Sequence, residues 1–191
     1  MSKTNIPNKY SVLRAFSRLC QYMYRKGVKD SAELFSPEMS ERFLDENDPI
    51  NDFLFMFDED GKKLKVEFYC ALASMYLIKI SARNGLPLLD PIKSSKRMQL
   101  GAACLINAYY RKGVKAGIGI DMRAANDFYH SNEKCTKHID INGREFSIMD
   151  FIEDMRSEAL RIESNNGRAG HIIWKFICDA LTEYYVGLEN R

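Results

Sequence analysis

The 191-residue chain is 46% hydrophobic with a formal net charge of +2, apolar enough to bury a core in one large or two small domains, and too weakly charged to mark a nucleic-acid binder in bulk. No window approaches the run of about 18 apolar residues that a membrane span needs, and Arg14 and Arg18 interrupt the first apolar stretch, unlike the core of a signal peptide. The five cysteines are odd in number and widely spaced, and all but Cys135 (Cys20, Cys70, Cys104 and Cys178) sit among apolar residues, so reduced thiols in a soluble cytoplasmic protein are expected.

The first predicted element is an amphipathic helix. Val12, Phe16, Leu19, Cys20 and Met23 keep the spacing of one buried face, and Gly27 reads as the C-terminal stop. The helix carries Tyr24-Arg25-Lys26-Gly27-Val28-Lys29, which recurs unchanged as Tyr110-Arg111-Lys112-Gly113-Val114-Lys115. Met98, Ala102, Leu105, Ile106 and Tyr109 precede the second hexapeptide at the offset of the first face, so a second such helix is predicted, ending at Gly113.

Further features keep the same order in both halves. Ser36 and Asp121 are placed to cap short helices carrying Phe43 and Phe128. Asp60-Gly61 and Asn142-Gly143, between β-prone runs, predict two hairpins. Each hairpin leads into a long helix, with Val66, Tyr69, Cys70, Ala73 and Ile80 matching Ile148, Phe151, Ile152, Met155 and Ile162, and each helix ends at Asn-Gly, Asn84-Gly85 or Asn166-Gly167. Leu72, Met75 and Tyr76 become Asp154, Ser157 and Glu158, so the first of these helices is expected to be buried all round and the second exposed along one side.

The joint between halves, Leu86 to Lys93, is apolar, unlike a flexible linker. The sequence thus predicts a mainly α fold with two short β-hairpins: two tandem pseudo-symmetric repeats, 10–85 and 96–167, and a C-terminal helix over 168–187, in one compact domain spanning 1–191. Trp174 and Phe176 of that helix read as core.

Charge is blocked along the chain. Residues 31–61 hold ten acidic groups against Arg42, and residues 62–115 hold eleven basic groups against Glu67 and Asp90. The repeated turns present Arg25, Lys26, Lys29, Arg111, Lys112 and Lys115, expected to be exposed at helix ends, where cations balance the helix dipole or reach an anionic partner. A second candidate region, 121–140, brings His130, Cys135 and His138 together with Asp127 and Asp140, ligand types that zinc accepts, without an established zinc spacing. In the same region Arg123 and His130, with six residues between them, resemble in spacing alone the arginine-to-histidine motif of helical HEPN ribonucleases, and no family assignment follows from it.

Phosphate-binding glycine loops, GxSxG and HExxH are absent from the sequence. The expectation is therefore a non-enzymatic binding or structural protein, with the basic turns contacting nucleic acid or an acidic protein surface. No cofactor is required and no membrane partner is expected; self-association is compatible with the sequence. The alternative is a metal- or histidine-dependent nuclease or hydrolase using the 121–140 segment, with Arg123 and His130 as its catalytic candidates.

Overall fold

The computed structural model describes residues 6–34, 36–46, 57–59, 62–64, 66–87, 90–131, 137–166 and 168–190. The fold is mainly helical. Its elements are α1 (Lys9–Ser31), α2 (Pro37–Glu46), β1 (Phe57–Glu59), β2 (Lys62–Leu64), α3 (Val66–Arg83), α4 (Pro91–Gly117), α5 (Met122–His130), β3 (His138–Ile139), β4 (Glu145–Phe146), α6 (Ile148–Asn166) and α7 (Arg168–Glu189). The strands form two antiparallel pairs, with Glu59 opposite Lys62 in the first and Ile139 opposite Glu145 in the second. The predicted turn residues Asp60 and Gly61, and the predicted stop Gly167, lie outside the described residues. Gly143 of the second hairpin has φ +80°, the left-handed conformation for which Asn-Gly turns select glycine.

Helix starts follow local chemistry. The side chains of Asn8, Ser36, Asp90 and Asp121 each accept from backbone N–H groups two or three residues ahead, satisfying donors that a helix start leaves open. Pro91 adds a fixed φ at the first turn of α4. At α6, Ser147 Oγ accepts from the Asp150 N–H and donates to the Asp150 carboxylate, a reciprocal cap. At the other end of α3, Gly85 at φ +66° closes the helix where Asn84-Gly85 predicts it.

One apolar core draws on α1, α2, α3, α4, α6 and α7, with both predicted helix faces in it: Val12, Phe16, Leu19, Cys20 and Met23 from α1, and Met98, Ala102, Leu105, Ile106 and Tyr109 from α4. Phe176 is fully buried there and Trp174 packs against it. A satellite core of Val28, Ala32 and Ala125, flanked by Tyr24 and Phe128, seats α5 on α1.

The two glycines of the hexapeptide do not end their helices. α1 runs on to Ser31 and α4 to Gly117, because the glycines sit where these two helices cross and make the most extensive contact in the fold. A Cβ on Gly27 would overlap the Tyr110 carbonyl oxygen, and one on Gly113 would overlap that of Tyr24. Gly117 lies the same way against Val28 and Ser31. Small residues four apart on each helix, Gly27 and Ser31 against Gly113 and Gly117, thus let two backbones touch. The missing side chain serves close approach here, and the helix ends fall a turn later.

Two burial expectations also change. On α3, Phe68 is 47% and Met75 42% exposed, so that helix is not enclosed. On α6, Glu158 is buried despite its place on the side expected to be exposed, because Lys112 and Arg161 neutralise it.

Replacing Gly27 or Gly113 by alanine should lower the unfolding free energy by about 1–3 kcal/mol, since the obstructing atoms are backbone and the helices must separate. Gly187→Ala, in α7 with open space around it, should be neutral or raise stability by up to about 1 kcal/mol. Urea unfolding of the three variants measures both.

Candidate functional site

On α1, three polar side chains spaced four residues apart are buried: Ser17, Gln21 and Arg25. Such a stripe needs partners, because an unsatisfied buried polar group costs about 1–3 kcal/mol. Gln21 Nε2 donates to the Ile139 carbonyl of β3 at 3.1 Å. Arg25 Nη1 donates to the Phe128 carbonyl and to Ser131 Oγ, each at 3.2 Å, and its guanidinium lies 5.0 Å from the Phe128 ring centre. Arg25 therefore holds the C-terminal end of α5, where the helix dipole is negative. Tyr22 and Tyr129 share a hydrogen bond of 2.7 Å beside it.

The six basic residues expected at the surface separate accordingly. Arg25 is 1% exposed, so the expectation of exposure fails for it. Lys26 pairs with Asp30 at 2.6 Å, and Lys29 lies over the Tyr129 ring at 4.6 Å. Lys112 bridges Asp154 at 3.2 Å and Glu158 at 3.0 Å and lies over the Tyr109 ring. Lys115 is exposed, 3.8 Å from Glu41, and Arg111 is half-buried. Most of these charges are committed within the protein.

The second hairpin, held by Gln21, roofs a cavity of about 520 Å³ between α1, α4 and α6. Gln21 and Tyr24 line it from α1, Tyr109 and Lys112 from α4, Ile139, Asp140, Arg144 and Phe146 from the hairpin, and Asp150, Phe151 and Asp154 from α6. The rings of Tyr109 and Phe151, 5.2 Å apart between centres, are buried, whereas Arg144, Asp150 and Asp154 are exposed. The cavity thus has aromatic walls and a charged rim.

Its polar groups are oriented by bonds of their own. Tyr109 donates to Asp154 Oδ2 at 2.5 Å, and burial above all, with the charge of Asp154 among the lesser causes, pushes the Tyr109 hydroxyl far above its ordinary pKa. It therefore stays protonated. Asp140 Oδ1 accepts from the Asn142 and Arg144 N–H groups, which fixes the turn. Burial alone would raise the Glu158 pKa, but Lys112 and Arg161 outweigh it and hold the carboxyl below its ordinary value.

His138 sits in β3, 3% exposed, stacked on Phe151 with ring centres 4.2 Å apart and planes 8° from parallel. Burial, then the charges of Arg25, Arg14 and Arg18, lowers its pKa to about 4. It is a neutral packing group at physiological pH.

The residues singled out for catalysis lie elsewhere. Arg123 and His130 are both exposed, at opposite ends of α5, with His130 against the Tyr129 ring. Of the three residues considered for zinc, His130 is exposed, His138 is enclosed and Cys135 lies outside the described residues. Among the described residues no three His, Cys, Asp or Glu side chains are grouped to hold a metal ion, and no helix is long and apolar enough to cross a membrane. A second cavity, about 430 Å³ between the start of α1 and the end of α7, is lined by groups that pair with one another, Lys9 with Glu183 at 2.9 Å and Tyr10 with Tyr184 in a stack.

Sequence reasoning missed Gln21, Tyr109, Arg144 and Asp154. The signal for Gln21 was its place, with Ser17 and Arg25, in a polar row of period four on an otherwise apolar helix. The other three come together only in the fold. Comparison with known proteins finds no family model, no curated protein and no solved structure that matches the chain. The functional reading therefore rests on the chain's own residues.

His138 gives a pH test. Its folded pKa, about 4, is below the unfolded value of about 6.5, so the unfolded chain binds the proton first as pH falls. The stability from the neutral ring is fully present above about pH 6.5 and is lost progressively towards pH 4. The difference in unfolding free energy between the parent and His138→Phe should shift against the parent by about 2 kcal/mol between pH 7 and pH 5. Urea titrations at the two pH values measure it, and a constant difference would show that the ring titrates normally.

Proposed function

We propose that this chain is a non-enzymatic binding protein, built from two copies of one unit, that takes up its ligand in the cavity beneath the second hairpin. Support for the copies comes from element order: long helix, short helix, hairpin and long helix occur twice, with α7 following. Gly27 and Gly113 stand equally far from the ends of α1 and α4 and pack against each other's helices.

The observation that carries the binding reading is the asymmetry between the copies at the cavity. Tyr109, Asp154 and Glu158 correspond to Met23, Leu72 and Tyr76, so the second copy has a polar constellation where the first has apolar or aromatic side chains. A packing role is filled by the apolar set. The polar set, opening on a cavity within the range of small-molecule sites, is what a binding role adds.

This reading keeps the binding protein expected from the sequence and moves its contact from the basic turns to the cavity. An anionic partner such as nucleic acid or an acidic protein needs uncommitted cations, and Arg25, Lys26 and Lys112 are engaged internally. A nuclease or hydrolase acting through Arg123 and His130 would work on the open surface of α5, away from the cavity.

Ile139 lines the cavity from β3 and is only half-buried, so Ile139→Trp should fill space without breaking the core. Ligand-observed NMR with a chemically mixed fragment set should find fragments that bind the parent and lose at least about tenfold in affinity in the variant, a difference of about 1.4 kcal/mol. Fragments that bind both proteins equally, or none that bind the parent, would overturn the reading.

A further inference from the structure

Resting on the cavity reading above, we infer that the ligand is an organic cation, a protonated amine on an apolar body, held between aromatic faces and the carboxylates of the cavity rim. Charge comes first. Asp140, Asp150 and Asp154 line the cavity against Lys112 and Arg144, three anions against two cations. Lys112 is itself paired with Asp154 and Glu158, so the charges that line the cavity sum to a negative balance. An anionic ligand would meet Arg144 with an uncompensated excess of carboxylates around it.

The carboxylates also retain capacity. An ionised carboxylate accepts about four hydrogen bonds. The structural bonds use Oδ1 of Asp140 and Oδ2 of Asp150 and Asp154, so each group has a second oxygen with which to accept from an ammonium donor. A neutral donor would leave the charge of these carboxylates uncompensated.

The aromatic walls agree with the charge. The faces of Tyr, Phe and Trp attract cations, more strongly where water is excluded. Two of the rings lining the cavity already hold cations of the protein itself: Lys112 lies 4.8 Å from the centre of Tyr109, and Arg144 lies 5.0 Å from that of Phe146. Tyr24 and Phe151 provide further wall for an aliphatic or aromatic body. The same recognition serves a free amine and a lysine side chain of a peptide.

Isothermal titration and NMR shift mapping with benzylamine, N-acetyl-lysine methylamide, benzyl alcohol and benzoate test the inference on the intact protein. The amine probes should shift the resonances of Tyr109, Phe146 and Asp154 and bind at least about tenfold more tightly than benzyl alcohol, with benzoate weaker still. Asp154→Asn and, independently, Asp140→Asn, which keeps the oxygen that fixes the turn, should each weaken amine binding by about tenfold and leave benzyl alcohol unchanged. Tighter binding of the lysine derivative than of benzylamine supports a peptide source, and the reverse order supports a free amine. Benzyl alcohol or benzoate binding in the cavity as well as the amines would overturn the cation inference while leaving the cavity reading standing. No shift at the cavity with any of the four probes, in a protein whose cavity binds fragments, would overturn it as well.

Discussion

The crossing of α1 and α4 is the constraint on which the other contacts depend. Two helices ordinarily stand apart by the thickness of their side chains, about 8–10 Å between axes; small residues on both sides remove that spacer. Gly27 and Gly113 place the Tyr110 and Tyr24 carbonyls against the opposite backbone. Their neighbours are then held across the contact: Tyr110 donates to Asp30 at 2.9 Å, and Lys26 pairs with the same carboxylate while lying over the Tyr110 ring. The same hexapeptide thus faces itself across the contact, Gly27 against Tyr110 and Gly113 against Tyr24.

From that crossing, each short helix reaches the opposite long helix. α5 packs on α1, and α2 packs on α4. The α5 contact explains how an arginine can be fully buried. Burial of a lone guanidinium is strongly unfavourable, but Arg25 meets the negative end of a helix, a carbonyl, a hydroxyl and an aromatic face. Its neighbour on the same stripe, Gln21, fixes the second hairpin, and the hairpin encloses the cavity. The polar stripe of α1 thus connects the crossing to the candidate site.

Much of the fold is legible in the sequence because it is set locally. Asp121 and Ser36 cap their helices, Asn142-Gly143 turns the hairpin with Gly143 at positive φ, and the paired helix faces are buried together. The failures share one physical origin. A glycine near a helix end reads as a stop because glycine usually ends helices, yet its lack of a side chain serves close approach equally well, and only the partner helix decides between the two. Likewise, Arg25 and Lys112 read as surface cations until α5 and α6 supply their partners. The cavity joins Gln21 to Asp154, residues far apart in the chain, so no local pattern announces it. His138 and His130 attract attention as reactive types, but enclosure by Phe151 makes the first a packing group.

The crossing itself is tested most directly by a double-mutant cycle at Gly27 and Gly113, measured by urea unfolding. Either Cβ forces the same two backbones apart, so the second alanine enters a contact that the first has already opened. The account predicts that Gly27→Ala and Gly113→Ala together destabilise by at least about 1 kcal/mol less than the sum of the single variants. Additivity within about 0.5 kcal/mol, or single variants as stable as the parent, would show that the two helices do not meet at these glycines.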